Sequence, residues 1–131
     1  MASRDLKDLA PHVKQMAERH IAECKIAGID LLIYCTYRSC DEQDSLYACG
    51  RTKSGAKVTN ARGGQSKHNT TMAGTNKPAS LAYDCVPCIS GKPQWNDKKL
   101  YMKVGQIGEA IGLKWAGRWT GSLTETAHFE A

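Results

Sequence analysis

Residues 80–86 read Ser80-Leu81-Ala82-Tyr83-Asp84-Cys85-Val86, a mostly apolar run with one acid inside it. Short apolar runs of this kind form strands. Asp84 then needs a physical explanation, because a carboxylate in such a setting is unfavourable unless it is paired, hydrogen-bonded or bound to a metal.

Upstream, Leu31-Leu32-Ile33-Tyr34-Cys35 lies between Gly28 and the polar Arg38-Ser39 and is too short for a helix, so a buried strand is expected. Before it, Ser3 can cap a helical turn carrying Leu6 and Leu9, and Pro11 suits the first position of a helix running to about Cys24. Val13, Ala17, Ile21 and Cys24 fall on one face of that helix, and Gly28 can end it. Asp41 to Cys49 reads as a short helix stopped by Gly50. A stretch rich in Gly, Lys, Asn and Ser follows, from Arg51 to about Pro78, and a loop of that length inside a compact domain is usually functional or disordered. Downstream, Asn96 can cap a helix whose Leu100, Val104, Ile107 and Ile111 share a face, with Gly112 as its stop. Short strands at Leu113 to Ala116 and Ala127 to Glu130 complete an α+β domain. No repeat, low-complexity tract or linker divides the chain, so residues 1–131 are expected to form a single domain.

The composition is that of an ordinary globular protein, with 41% apolar and 24% charged residues. No stretch approaches the roughly 20 apolar residues that span a bilayer, so membrane insertion is not expected. The first residues, MASRDLKDLAPHVKQ, carry charges where a secretory signal has its apolar region, and the expected starting compartment is the cytoplasm. A net charge of +5 favours a polyanionic partner or serves solubility alone. Of the six cysteines, Cys24 and Cys35 fit small core positions. Cys85-Val-Pro-Cys88 alone has spacing suited to a disulfide, redox or ligand pair, and a structural zinc site would need a second such pair.

Catalytic zinc sites take three protein ligands and leave a position open. His12 and His20, on the first helix among Lys, Arg and Glu, read as surface or boundary residues. His68, in Ser66-Lys67-His68-Asn69, and His128, in Glu125-Thr126-Ala127-His128-Phe129-Glu130, stand apart from them. Phe129 should point into the core, on the opposite side of a strand from His128. Glu125 can take the proton of an attacking water and pass it to a leaving amine if the chain turns before His128. Spacing alone does not separate a zinc site from a set of satisfied polar residues.

The wider pattern does. Ser66-x-His68, Ala82-x-Asp84 and Glu125-x-x-His128 resemble the ligand order of the zinc D-alanyl-D-alanine and L-alanyl-D-glutamate peptidases, a group that includes bacteriophage endolysins. The resemblance continues through Tyr37-Arg38-Ser39, Glu42-Gln43, Leu46-Tyr47-x-x-Gly50-Arg51-Thr52, Gly112-Leu113-x-Trp115-x-Gly117-x-Trp119 and His128-Phe129-Glu130, covering about residues 29–131. It implies a Hedgehog/DD-peptidase-like fold, with a small antiparallel sheet flanked by helices. It further implies Zn2+ held by His68, Asp84 and His128, Glu125 as base and later acid, Arg38 beside the attacked carbonyl, and Ser66 supporting the first ligand or the substrate. The implied substrate is the peptidoglycan stem peptide, cut between L-alanine and D-glutamate, by a monomer that waits in the host cytoplasm until lysis. Action at terminal D-alanyl-D-alanine and a non-catalytic zinc-stabilised binding module are the alternatives. A nucleic-acid-binding role for Lys53, Lys57, Arg62 and Lys67 is not expected, since no interleaved aromatics accompany them. Two departures from the family pattern stand out. The gap Asn69 to Tyr83 is longer than usual, so Thr70 to Pro78 could line or cover the cleft, and Arg118 replaces a frequent acid at the rim.

Overall fold

The computed structural model describes residues 2–121 and 124–131. Helix α1 spans Pro11–Ile26, strand β1 Asp30–Cys35 and helix α2 Cys40–Ala48. Strand β2 is Ala82–Ile89, β3 Lys92–Pro93, helix α3 Lys98–Ile111, β4 Lys114–Trp115 and β5 His128–Glu130. The sheet order is β1-β2-β5-β4, with β3 folded back on β2 and every pairing antiparallel.

Helix starts and stops follow the local chemistry. Pro11 opens α1, and Ser39 caps α2 in a reciprocal box with Glu42. Asp97, one residue past the expected Asn96, caps α3 by accepting from the Leu100 N–H, and Gly112 ends it at φ 109°. The buried face of α3 is Tyr101, Val104, Gly105 and Gly108, while Leu100 and Ile107 pack partly buried at its border. Glycine at 108 is a packing requirement, since a Cβ there would stand 2.6 Å from Phe129 Cε2.

Alternation along the strands divides the sheet into two faces. Leu31, Ile33, Tyr83, Cys85 and Phe129 point toward α1 and α3 and join Val13, Ala17, Cys24, Val104 and Trp115 in the main core. Asp84 and His128 are direct cross-strand partners and project from the other face. The core therefore leaves this second face available for chemistry.

Two strand expectations are corrected. Strand β1 is not fully buried: Leu32 and Tyr34 lie on the outer face, with Leu32 41% exposed. Strand β2 continues past Val86 through Pro87. The Pro87 carbonyl accepts from Gln94, away from β1, so the missing proline N–H removes no β1 ladder bond. That longer strand also separates Cys85 from Cys88. Three residues apart on one strand, they face opposite sides and are free thiols, so they form no redox pair.

His20 is neither a surface nor a boundary residue. It is fully buried, donating from Nε2 to the Val104 carbonyl at 2.9 Å and accepting at Nδ1 from the Tyr83 hydroxyl at 2.7 Å. Burial pulls its pKa below the ordinary value, so the folded state holds it neutral while the unfolded chain takes up a proton. A depressed folded pKa gives stability that is present above about pH 6.5 and is lost as pH falls below it. Urea unfolding at pH 7.5 and 5.5 should show a larger acid loss for wild type than for His20→Gln. Equal losses would mean that His20 is charged in the fold.

Candidate metal centre

Three segments bring their donor atoms to the outer face of the sheet. Asp84 and His128 come from paired strands. His68 comes from a 3-10 turn, Lys67–Asn69, which Ser66 caps by accepting from the His68 N–H while the Asn69 side chain accepts from the Ser66 N–H. The turn is pinned to the sheet by two bonds, the Arg38 N–H to the His68 carbonyl and the Leu81 N–H to the Lys67 carbonyl.

His68 Nε2 lies 3.1 Å from Asp84 Oδ1 and 3.2 Å from His128 Nδ1, and His128 Nδ1 lies 3.2 Å from Asp84 Oδ1. The far nitrogens decide what these atoms carry. His68 Nδ1 donates to the Thr36 carbonyl at 2.8 Å, and His128 Nε2 donates to Glu130 Oε1 at 2.8 Å. In the neutral tautomers so fixed, Nε2 of His68 and Nδ1 of His128 present lone pairs to each other and to a carboxylate oxygen. Three acceptors at this distance need a shared positive charge, which a metal ion or a proton supplies. Donors about 2.0–2.1 Å from a tetrahedral ion stand about 3.3–3.4 Å apart, close to the spacing found, so the donor set fits zinc.

Protonation shows the same demand for positive charge. Burial disfavours charging His68, yet Asp84 beside it outweighs burial and pushes its pKa up to about 10. His128 is raised in the same way. Burial also opposes ionisation of Asp84, but the two histidines hold it well below the usual carboxylate range. Glu130 is kept ionised by its bond to His128, so it orients that ring as outer partners of metal-binding histidines do.

Arg38 reaches the same place. Its Nη2 is 3.7 Å from Asp84 Oδ2, and its Nη1 donates to Gln43 Oε1 at 2.9 Å. Gln43 is fully buried and donates to the Ala61 carbonyl, which locks the arginine's direction. Glu125 Oε2 lies 3.7 Å from His128 Nδ1, outside the donor triangle, and burial raises its pKa above the ordinary glutamate value. A backbone turn from the His128 N–H to the Glu125 carbonyl supplies the reversal that this placement needs.

Cys35 offers a further donor. A bulge in β1 sets it opposite Asp84, and Cys35, His68 and Asp84 have ligand atoms within 4.8 Å of one another. Its Sγ lies 3.7 Å from His68 Nδ1, which carries the proton given to Thr36, and the lone pair on Nε2 faces His128 instead. The triangle with His128 is therefore the tighter and chemically better-matched set.

Arg38, His68, Asp84, Glu125, His128 and Glu130 open into one cleft of about 1220 Å³, with Tyr34, Lys57, Lys67 and Trp119 also on its walls. Trp119 stands 5.5 Å from the His128 ring. Thr70 to Pro78 contributes nothing to the described cleft lining. It closes on itself through a Thr71–Pro78 bridge and a bond from the Met72 N–H to the Lys77 carbonyl, and Lys57 to Ala61 form the wall instead. Arg118 pairs with Glu109 at 3.0 Å, away from the cleft.

Sequence reading missed the supporting roles of Thr36, Gln43, Glu130 and Cys35. Glu130 was detectable, because two residues along a strand return to the same face as His128. The Thr36 carbonyl and the bulge at Cys35 leave no side-chain signal.

A two-histidine, one-carboxylate donor set, with a free carboxylate at its edge and an open cleft before it, is the arrangement of a metallopeptidase. Residues 6–125 match the VanY D-alanyl-D-alanine carboxypeptidase family, and the chain belongs to that family. It is 39% identical over 116 residues to the peptidoglycan L-alanyl-D-glutamate endopeptidase CwlK of Bacillus subtilis (strain 168), a match covering 86% of this chain and 67% of that protein. The fold is that of the L-Ala D-Glu endopeptidase ChiX of Serratia marcescens (TM-score 0.68, 15% identity, 99% of this chain and 87% of that one). A D,D-pentapeptidase, VanY from a VanB-type vancomycin-resistance cassette in complex with Zn(II), shares it as well (TM-score 0.65, 14% identity, 93% and 71%).

Proposed function

We propose that the protein is a zinc-dependent peptidoglycan peptidase that hydrolyses the L-alanyl-D-glutamate bond of the stem peptide. The observation that carries this is the convergence of three lone-pair donors, His68 Nε2, Asp84 Oδ1 and His128 Nδ1, at 3.1–3.2 Å in an open cleft with Glu125 beside them. The choice of bond is supported by the similarity to CwlK.

His68, Asp84 and His128 would hold the zinc, which when bound acidifies water and polarises a carbonyl. Glu125 takes the proton of the attacking water and returns it to the departing amine. Arg38, fixed by Gln43 and permanently charged, faces the carbonyl oxygen as negative charge develops there. Ser66 acts through the backbone of His68, as a positioning residue. A cleft of about 1220 Å³ exceeds the roughly 300–1,000 Å³ of small-molecule pockets and suits a polymer more than a free dipeptide.

A lytic, endolysin-type use, by a monomer held in the host cytoplasm until release, rests on the motif resemblance. Clearing of permeabilised cells by the purified protein tests it. The bond is tested by mass spectrometry of fragments released from purified peptidoglycan by the zinc-loaded protein. New peptides beginning at D-glutamate are expected. Release of D-alanine alone would replace this reading with the carboxypeptidase, and no release by folded, zinc-loaded protein would overturn it.

A further inference from the structure

The outer face of the sheet does not end at the metal centre. On β1, Tyr34 lines the cleft together with Arg38, His68 and Asp84, and its ring meets Trp95 edge to face at 5.4 Å between centroids. Trp95 follows β3 and precedes α3, and it is 53% exposed. Leu32, on the same face of β1 as Tyr34, is 41% exposed, so the apolar surface runs on beyond the cleft. Beneath it Val86, Cys88 and Tyr101 form a small buried cluster against Tyr34 and Ala127, which gives the platform a rigid base. Among the described residues, neither the Trp95 indole N–H nor the Tyr34 hydroxyl has a hydrogen-bond partner. An exposed tryptophan face bordered by unused donors is unusual for a purely structural position.

We infer that Tyr34 and Trp95 form a subsite for a pyranose ring of the glycan strand, continuous with the catalytic cleft. This rests on the stem-peptide reading above. The L-alanine of a stem peptide is joined directly to the lactyl group of a sugar, so an enzyme cutting after that alanine meets the sugar one residue from the scissile bond. A sugar ring offers an apolar C–H face to an aromatic ring and hydroxyl groups to neighbouring donors. Trp119 stands on the His128 side of the cleft, 5.5 Å from that ring. Past the cleft on the Tyr34 side, Trp95 adds exposed aromatic surface.

The test compares zinc-loaded wild type, Trp95→Ala and Trp95→Phe in two assays. One is calorimetric binding of peptide-free glycan strands, and the other is kcat/KM on a free stem peptide and on the same peptide attached to its sugar. Trp95→Ala should weaken glycan binding and reduce kcat/KM on the sugar-linked substrate about tenfold, the scale of one aromatic stacking contact. Its kcat/KM on the free peptide should stay within about twofold of wild type, and Trp95→Phe should recover most of the loss. The subsite is overturned if wild type does not bind glycan strands, or if Trp95→Ala loses both substrates equally. Glycan binding that depends on Trp95 without cleavage of either substrate would overturn the peptidase reading and leave the subsite standing.

Discussion

Glu125→Gln is expected to retain one zinc per chain and to lose between about 10²- and 10⁴-fold in kcat on a stem peptide. Retention follows from geometry. Glu125 stands 3.7 Å from His128 Nδ1 and is not one of the three mutually close donors, and its side chain is 45% exposed. The fold should also survive, because the Glu125 backbone is held by its N–H to the Ala116 carbonyl and by its carbonyl to the His128 N–H, neither of which needs the carboxylate. The kinetic loss follows because glutamine has the same shape and cannot accept a proton. Metal content by atomic absorption beside steady-state kinetics checks both halves. A kcat within about threefold of wild type would remove Glu125 from proton transfer, and loss of zinc would make it a ligand instead.

The separation between Glu125 and the three close donor atoms was readable in the sequence only in part. Glu125-x-x-His128 sets the two residues within reach, but their arrangement depends on a backbone turn that spacing cannot specify. The apolar run around Asp84 marked a strand with an acid in need of partners, and the partners found are both histidines and Arg38. Asp84 and His128 became neighbours through the β2–β5 register, a contact across 44 positions that no local pattern encodes.

Where sequence reading failed, tertiary packing overrode a local signal. His20, flanked by charged residues, looked exposed, yet the pairing of its two nitrogens with Tyr83 and Val104 satisfies it fully inside the core. The strand expected over Ser80 to Val86 runs on through Pro87, whose carbonyl faces Gln94 and not β1, so its missing donor breaks no β1 bond. Thr70 to Pro78 looked like a lid because of its length. Its own bridge turns it away, and the equally irregular Lys57 to Ala61 takes the place beside the metal centre.

Asp84→Ala should have the second large effect, a zinc affinity reduced by well over the 10- to 100-fold that loss of an outer partner typically gives. Without the carboxylate, two neutral imidazoles would have to hold the ion, and Arg38 would face it with no intervening acid. Glu130→Gln is the matching control, since it loosens only the orientation of His128 and should stay within about 10- to 100-fold. Competition with a chromophoric chelator measures both. The metal-free proteins separate the charge effect from coordination. In wild type, the raised His68 pKa of about 10 gives stability that is complete below the unfolded value of about 6.5 and is lost as pH rises toward 10. The lowered Asp84 pKa gives stability that is present above about 3.9 and is lost as pH falls further. Between those limits, at about pH 5–6, the triad is internally charge-paired, and removing one partner of a buried pair costs about 3–5 kcal/mol. The difference in unfolding free energy between metal-free wild type and Asp84→Ala should therefore be largest near pH 5.5 and shrink by pH 10. Zinc binding should run the other way, tightening with pH as the ion displaces the His68 proton. A stability difference independent of pH would show that the histidines are not charged by Asp84, and an unchanged zinc affinity would move the metal to Cys35 and the histidines.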